Sequence, residues 1–158
     1  MTRPEAESGH SVNPTVVVSA CLLGIRCNHL GAASPSQAVA DLASHHQLAP
    51  ICPEVAGGLP TPRPAAEIQP DGSVRTREGH DVSDAYRRGA EAAVALARSV
   101  GATEAVLKAR SPSCGCYEVY DGTFTRTKVA GEGITARALR EAGLRIRSDE
   151  DIADPGRP

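Results

Sequence analysis

The chain contains 158 residues, carries a formal net charge of −2 and has few aromatic side chains: no Trp, one Phe and three Tyr. This length favours one domain that is large enough to bury a core without disulfide or metal staples. The few aromatic residues and the lack of a basic block argue against a nucleic-acid-binding surface, and no apolar run reaches the length of a membrane span.

The first part of the chain predicts a leader, a buried strand, a helix and a second strand. Residues 1–14 are polar and contain no apolar signal core, so we expect a flexible leader on a cytoplasmic protein. Thr15–Ser19, with the sequence TVVVS, is a β-branched run typical of a strand buried on both faces. Gln37–His45 then predicts a helix, and Leu48–Ile51 predicts a short strand.

A hairpin and a long helix are predicted next. The stretch EIQPDGSVRT contains an Asp-Gly turn, which indicates a small β-hairpin. Asp81 or Ser83 can cap a helix that runs to Val100, and Gly101 is suited to end it. Apolar residues recur at helical spacing along that segment and predict its buried face: Tyr86, Ala90, Ala93, Val94, Ala97 and Val100.

The last third of the chain repeats the strand and helix pattern. Glu104–Ala109 predicts a buried strand, and a long loop separates it from a helix that Thr135 can cap and that extends through Ala142. Leu144–Ser148 predicts a last strand. Because strands and helices alternate, we expect an α/β fold: a single compact domain, residues 15–153, with a mainly parallel sheet flanked by helices and a tail at 154–158.

Three of the five cysteines each follow a predicted strand. Cys21 lies in SACLLG after the first strand, Cys52 lies in ICPEV after the second, and Cys114 lies in SPSCGC after the third. Ligands of open parallel sheets bind beyond the carboxyl ends of the strands, and neighbouring strands lie about 4.8 Å apart. We therefore expect the three thiols to lie within roughly 10 Å of one another, as ligands of one site at that edge.

The spacing of the cysteines leaves several interpretations open. Structural zinc usually takes paired knuckles, whereas this chain has only C-x5-C and C-x-C, and its five histidines form no ligand pattern. Ligation by soft thiolates alone fits an iron–sulfur cluster at least as well. Alternatively, Cys114 and Cys116 could cycle between dithiol and disulfide, or the thiols could be unligated core residues.

Six segments of the chain resemble the thiouracil desulfidase family, formerly a bacterial domain of unknown function. In chain order they are VSACLLGIRCNHLGAAS, ICPEVAGGLPTPRPAAEI, EGHDVSDAYRRGA, LKARSPSCG, YDGTFT and GEGITARALREAGLRIRSDED. Together they extend over nearly everything from about Val16 to Asp151. The resemblance implies an enzyme that removes sulfur from thiolated pyrimidines such as 2- or 4-thiouracil and releases hydrogen sulfide.

The same resemblance implies a [4Fe-4S] cluster, with one iron that has no protein ligand. Carried over by motif, the cluster ligands are Cys21, Cys52 and Cys114, while Cys27 and Cys116 are expected to be neighbouring thiols. A non-enzymatic cluster protein would instead take its fourth ligand from Cys27 or Cys116. Family members usually read CRYDG where this chain reads CNHLG, so the substituted positions 28–30 are expected to affect substrate preference.

Two further residues are candidates for the chemistry. We expect Glu54 to carry protons beside the cluster, and the alternative is a helix-capping or surface glutamate. Ser111 could donate to the substrate ring or hand on a proton, and the alternative is that it caps its own turn. Arg63 and Arg110 could balance the charge of the cluster or pair with an acid, and the alternative for both is a surface role. Lys108 is expected to be only a strand-end lysine.

Overall fold

The computed structural model of the chain describes residues 13–156. In this part of the chain the strands are β1 Thr15–Ser19, β2 Gln47–Ile51, β3 Ala66–Ile68, β4 Val74–Thr76, β5 Glu104–Leu107, β6 Glu118–Tyr120, β7 Lys128–Ala130 and β8 Arg145–Ser148. The α-helices are α1 Gln37–Ala40, α2 Pro53–Ala56, α3 Ser83–Val100, α4 Ile134–Glu141 and α5 Asp149–Ala153. Most of the predicted leader and the end of the predicted tail lie outside the described residues, and the division into leader, domain and tail stays a prediction.

The central sheet has four parallel strands in the order β2-β1-β5-β8. Val16, Val17 and Val18 of β1 are at most 1% exposed, because this strand has neighbours on both edges and packing on both faces. The predicted α/β fold with a mainly parallel sheet is confirmed. Parallel strands all end at one edge, so the segments that follow β1, β2 and β5 come together there.

Helix α3 packs on the sheet through a narrower face than the sequence predicts. Tyr86 and the small residues Ala90, Ala93 and Ala97 are buried, as expected from the helical period. Val94 is only half-buried, and Val100 is 38% exposed, so its assignment to the buried face is wrong. Val82 holds the N-cap position of the helix without a side-chain cap bond, but Oδ1 of the predicted Asp81 accepts a bond from the amide of Ser83 at 2.9 Å. The helix ends at Gly101 in the left-handed conformation.

Several boundaries also differ from the sequence prediction. The helix predicted to reach His45 ends at Ala40 and continues only as the 3-10 turn Asp41–Ser44. Thr135 lies buried inside the first turn of α4 and does not cap it, because Gly133 holds the N-cap position. Helix α5 was not predicted, although Ser148 and Asp151 form a capping box at its start.

Two short hairpins lie beside the sheet. The predicted hairpin is present as antiparallel β3 and β4, whereas the hairpin of β6 and β7 replaces part of the expected long loop. The carboxylate of Glu67 in β3 joins them by accepting bonds from the amides of Gly122 at 3.0 Å and Phe124 at 3.1 Å. The loop between β6 and β7 is thereby held near the end of the sheet. No helix within residues 13–156 is long and apolar enough to cross a membrane.

Candidate active site

A cavity of about 490 Å³ lies at the carboxyl edge of β1, β2 and β5. The structure brings the three predicted site cysteines together: Cys21, Cys52 and Cys114 all line this cavity. Glu54 and Ser111 line it as well. Three segments that are distant in sequence thus meet around one space, because each of these cysteines follows a strand of the same parallel sheet.

Cys21 is held by the turn that follows β1. It lies in the 3-10 turn Ala20–Leu23, and its carbonyl oxygen accepts a bond from the amide of Ser34 at 3.0 Å. Burial is the main cause that raises the pKa of the Cys21 thiol, and the neighbouring Cys52 raises it further. The positive charge of Lys108 acts in the opposite direction. Lys108 lines the cavity, and its Nζ lies 3.9 Å from Oδ2 of Asp149.

Cys52 is the N-cap of α2, and its position depends on how closely α2 packs on α3. A Cβ atom on Gly89 would lie 2.0 Å from the carbonyl oxygen of Pro53, and one on Gly57 would lie 1.9 Å from that of Ala85. Only glycine allows this backbone approach at either position. The close packing of the two helices therefore fixes the start of α2, which carries both Cys52 and Glu54.

Cys114 is presented by a loop that Ser111 organises. The hydroxyl oxygen of Ser111 accepts bonds from the amides of Ser113 and Cys114, each at 3.1 Å. Ser111 thus caps its own turn while it lines the cavity. Burial raises the pKa of the Cys114 thiol, and a hydrogen bond from Ser19 partly opposes this effect.

Both carboxylate oxygens of Glu54 are hydrogen-bonded inside the cavity. One carboxylate oxygen accepts a bond from Nη2 of Arg63 at 2.8 Å, and the other accepts a bond from the hydroxyl of Tyr86. Its side chain is only 15% exposed, which excludes the surface interpretation. Burial, followed by the charge of Glu54, raises the pKa of the Tyr86 hydroxyl, so this hydroxyl stays protonated and donates.

Of the other two cysteines, Cys27 lines the same cavity and Cys116 lines another one. Cys27 is buried, lines the same cavity, and its carbonyl oxygen accepts a weak bond from Sγ of Cys52 at 3.5 Å. Burial and Cys52 raise the pKa of the Cys27 thiol to about 12. Cys116 instead lines a separate cavity beside Tyr117 and Asp151, and burial together with Asp151 raises its pKa to about 11. All five cysteines are free thiols.

The outer part of the cavity contains residues that the sequence reasoning did not single out. Phe124, the only Phe of the chain, and Tyr120 come from the hairpin of β6 and β7. The guanidinium carbon of Arg77 lies 5.4 Å from the centre of the Phe124 ring, and Arg126 also lines the cavity. The motif YDGTFT contains Tyr120 and Phe124, but nothing local in it indicates that its aromatic side chains face the cavity.

The segment that departs from the usual family pattern contributes two residues to the cavity. Asn28 and His29 line it, whereas Leu30 is 72% exposed and lies outside. The Asn28 side chain also shapes its own loop, because Oδ1 accepts bonds from the amides of Leu30 at 3.0 Å and Ala32 at 2.9 Å. Arg110 lines the cavity too, and its guanidinium pairs with Glu150.

The donor set of the cavity fits a cysteine-ligated cluster. Cys21, Cys52 and Cys114 offer thiolate donors to this cavity, and cysteine thiolates are the side chains that hold iron–sulfur clusters. Within residues 13–156, no group of three or more His, Cys, Asp or Glu side chains is arranged to hold a single metal ion. Nε of Arg63 is buried and has no partner among the described residues, so a donor remains for a negatively charged group.

Fold and cavity together define an α/β protein whose cysteines converge at the carboxyl edge of a parallel sheet. The family model for 2-thiouracil desulfurase matches residues 16–151, so the chain belongs to that family. It is 36% identical over 148 residues to the uncharacterized protein YbbK of Bacillus subtilis strain 168, a match that includes 88% of this chain and 98% of YbbK. Its structure is similar to that of the [4Fe-4S]-dependent thiouracil desulfidase TudS, with a TM-score of 0.81, 40% identity, and coverage of 89% of this chain and 94% of that chain.

Proposed function

We propose that this protein is a [4Fe-4S]-dependent desulfidase that removes sulfur from thiolated pyrimidines of the 2- or 4-thiouracil type. The observation that carries the proposal is the convergence of three strand-end thiols and the Glu54 carboxylate on one cavity. The family membership and the similarity to TudS support it. The proposed setting is the cytoplasm, with a small-molecule substrate bound by a domain at residues 15–153.

The proposed cluster ligands are Cys21, Cys52 and Cys114, which leaves one of the four irons without a protein ligand. When bound, such a cluster would supply a Lewis-acidic iron with high affinity for the thiocarbonyl sulfur of the substrate. Cys27 is proposed as a neighbouring thiol beside Cys52. Cys116 lines another cavity, which supports leaving it out of the proposed ligand set.

The overall reaction is balanced by water alone. The C=S bond of the thiopyrimidine and one water molecule become a C=O bond and hydrogen sulfide, so no oxidant or reductant is consumed. Two protons must move from the water oxygen to the departing sulfur. Glu54 is the proposed group that accepts and returns a proton, because its carboxylate lines the cavity and is held in place by Arg63 and Tyr86.

Ser111 is proposed as a hydrogen-bond donor to the substrate. Its oxygen already accepts two backbone bonds, from Ser113 and Cys114. None of the hydrogen bonds found within residues 13–156 uses the hydroxyl proton of Ser111, so this proton is free to be donated into the cavity. Capping the turn and serving the substrate are therefore compatible roles of the same hydroxyl.

A non-enzymatic cluster protein is a second candidate, favoured by one observation. Cys27 lines the same cavity as the three proposed ligands and could supply a fourth thiolate. If it does, a Cys27→Ser variant will lose iron, and no iron will be open to substrate. The desulfidase proposal instead expects Cys27→Ser to keep four irons per chain after anaerobic reconstitution.

The function is tested by anaerobic purification, reconstitution with iron and sulfide, and an assay for loss of the thiouracil absorption band. Glu54→Gln is expected to keep its cluster and lose turnover, whereas Glu91→Gln, an exposed glutamate of α3, should behave as the unmodified protein. A fully loaded protein that leaves 2-thiouracil, 4-thiouracil and their nucleosides unchanged would contradict the desulfidase proposal. A colourless protein that carries zinc would contradict the cluster.

A further inference from the structure

We propose that Tyr86 and Arg63 are positioning residues that hold the two carboxylate oxygens of Glu54 in one orientation towards the cavity. This inference rests on the proposed function, in which Glu54 moves protons. It goes further by assigning a task to a tyrosine of the central helix and a buried arginine. From the sequence, Tyr86 is expected only on an apolar helix face, and for Arg63 pairing with an unspecified acid is one of several alternatives.

Tyr86 reaches Glu54 from a rigid position. Its side chain is 2% exposed in the second half-turn of α3, and its hydroxyl donates to Oε1 of Glu54. Helices α2 and α3, which carry the two residues, pack closely because the backbone of Gly89 contacts that of Pro53. The backbone segments that carry the hydroxyl and the carboxylate therefore stay at a fixed separation as long as α2 packs on α3.

Arg63 holds the second oxygen and is itself anchored. Nη2 donates to Oε2 of Glu54 at 2.8 Å and to the carbonyl oxygen of Cys27 at 2.9 Å. Nη1 donates to the carbonyl oxygen of Pro60 at 3.2 Å and to Oγ1 of Thr61 at 3.1 Å. A guanidinium whose side chain is 3% exposed must be paired, and these four acceptors fix the plane from which it contacts the carboxylate.

Two donors on the two oxygens restrict a side chain that would otherwise be free. A glutamate has several rotamers in solution, and a proton-transfer group is effective only when it is held at hydrogen-bond distance from the atom it serves. Misplacement by about 1 Å can lower a rate about 100-fold. Nη2 of Arg63 also lies 3.9 Å from Sγ of Cys52, so the same side chain ties Glu54 to a proposed cluster ligand.

The decisive variant is Tyr86→Phe, which removes one oxygen atom and keeps the ring that packs in the core. We expect it to keep four irons per chain, and to lower kcat for thiouracil by about 10- to 100-fold while KM changes less than twofold. Tyr117→Phe is the matched control, because Tyr117 also donates to a carboxylate, that of Asp151, but lies outside the cavity and is 59% exposed. It should leave kcat, KM and iron content unchanged.

A double-mutant cycle separates positioning from a general structural role. Glu54→Asp shortens the side chain, so its carboxylate no longer reaches Tyr86, and Tyr86→Phe added to it should lower kcat no further. The same four proteins, freed of cluster, should show the coupling without any turnover: the unfolding midpoint shift of Tyr86→Phe should be smaller in the Glu54→Asp protein than alone. The inference would be overturned if the kcat losses of Tyr86→Phe and Glu54→Asp multiplied in the double variant. It would also be overturned if Tyr86→Phe raised KM and left kcat constant.

Arg63 provides a second, independent test. Arg63→Lys keeps the charge beside Glu54 and should retain more kcat than Arg63→Met, with the iron content unchanged between the two. Equal kcat in both would overturn the assignment of Arg63. If the unmodified, fully loaded protein does not turn over thiouracil, the proposed function fails; the coupling of unfolding midpoints then shows separately whether Tyr86 and Glu54 interact.

Discussion

Replacing Gly89 by Ala should lower the stability of the protein, although helix propensity alone predicts the opposite sign. Gly89 lies in the interior of α3, where Gly→Ala normally stabilises a helix by about 1 kcal/mol. In this structure the added Cβ would lie 2.0 Å from the carbonyl oxygen of Pro53, a distance at which something must shift. The neighbour is backbone, so relief requires α2 and α3 to separate by about 1 Å.

The expected change in the free energy of unfolding is the difference between these two opposing effects. Overpacking of a well-packed interior costs about 1–3 kcal/mol, and a backbone contact this short places Gly89→Ala at the upper end of that range. After subtraction of the propensity gain, the net loss is about 2 kcal/mol. For a chain of this size that loss lowers the unfolding midpoint by about 4–8 °C.

The assay is thermal or denaturant unfolding of the cluster-free protein, followed by iron determination after reconstitution. Ser99→Ala, at an exposed position of the same helix, is the control and should leave the midpoint equal or slightly raised. Gly89→Ala should also bind less iron, since Cys52 begins the helix that is displaced. A Gly89→Ala protein with an unchanged or higher midpoint would refute the close packing of α2 on α3.

Three further outcomes are expected. Cys114→Ser should lose the cluster and Cys116→Ser should keep it, as read from iron content, because only Cys114 lines the main cavity; equal iron in both would contradict this. Phe124→Ala should raise KM for thiouracil about tenfold at unchanged kcat, since the half-buried ring lines the cavity and can stack on a flat pyrimidine, and Phe124→Tyr should restore KM. A hydrogen bond from Arg140 lowers the pKa of Glu132, so its stabilising effect is present above the unfolded pKa of about 4.3 and is lost as the pH falls through the lower folded value. The midpoint difference between the unmodified protein and Glu132→Gln should therefore be present at pH 7 and disappear in strong acid.

The fold could be predicted to the extent that it is encoded in short-range patterns. The continuous β-branched run of β1 and the helical period of α3 each need only their own residues to be recognised, and both elements are present. The hairpin of β6 and β7 was missed because its strands have three residues each, and β7 is exposed throughout. Such strands bury too little to show an alternating pattern, and they are stabilised by contacts such as the one between Glu67 and Phe124.

The sequence by itself determined which edge of the sheet carries the cysteines, because strand order does not matter when all parallel strands end on the same side. Only the tertiary structure decided what surrounds them. Tyr86 and Glu54 are 32 residues apart, and Arg63 reaches Cys27 over 36 residues. No local periodicity encodes a contact between a core tyrosine and a carboxylate on another helix. Such contacts depend on how closely two backbones approach, and here glycine at 57 and 89 permits the approach.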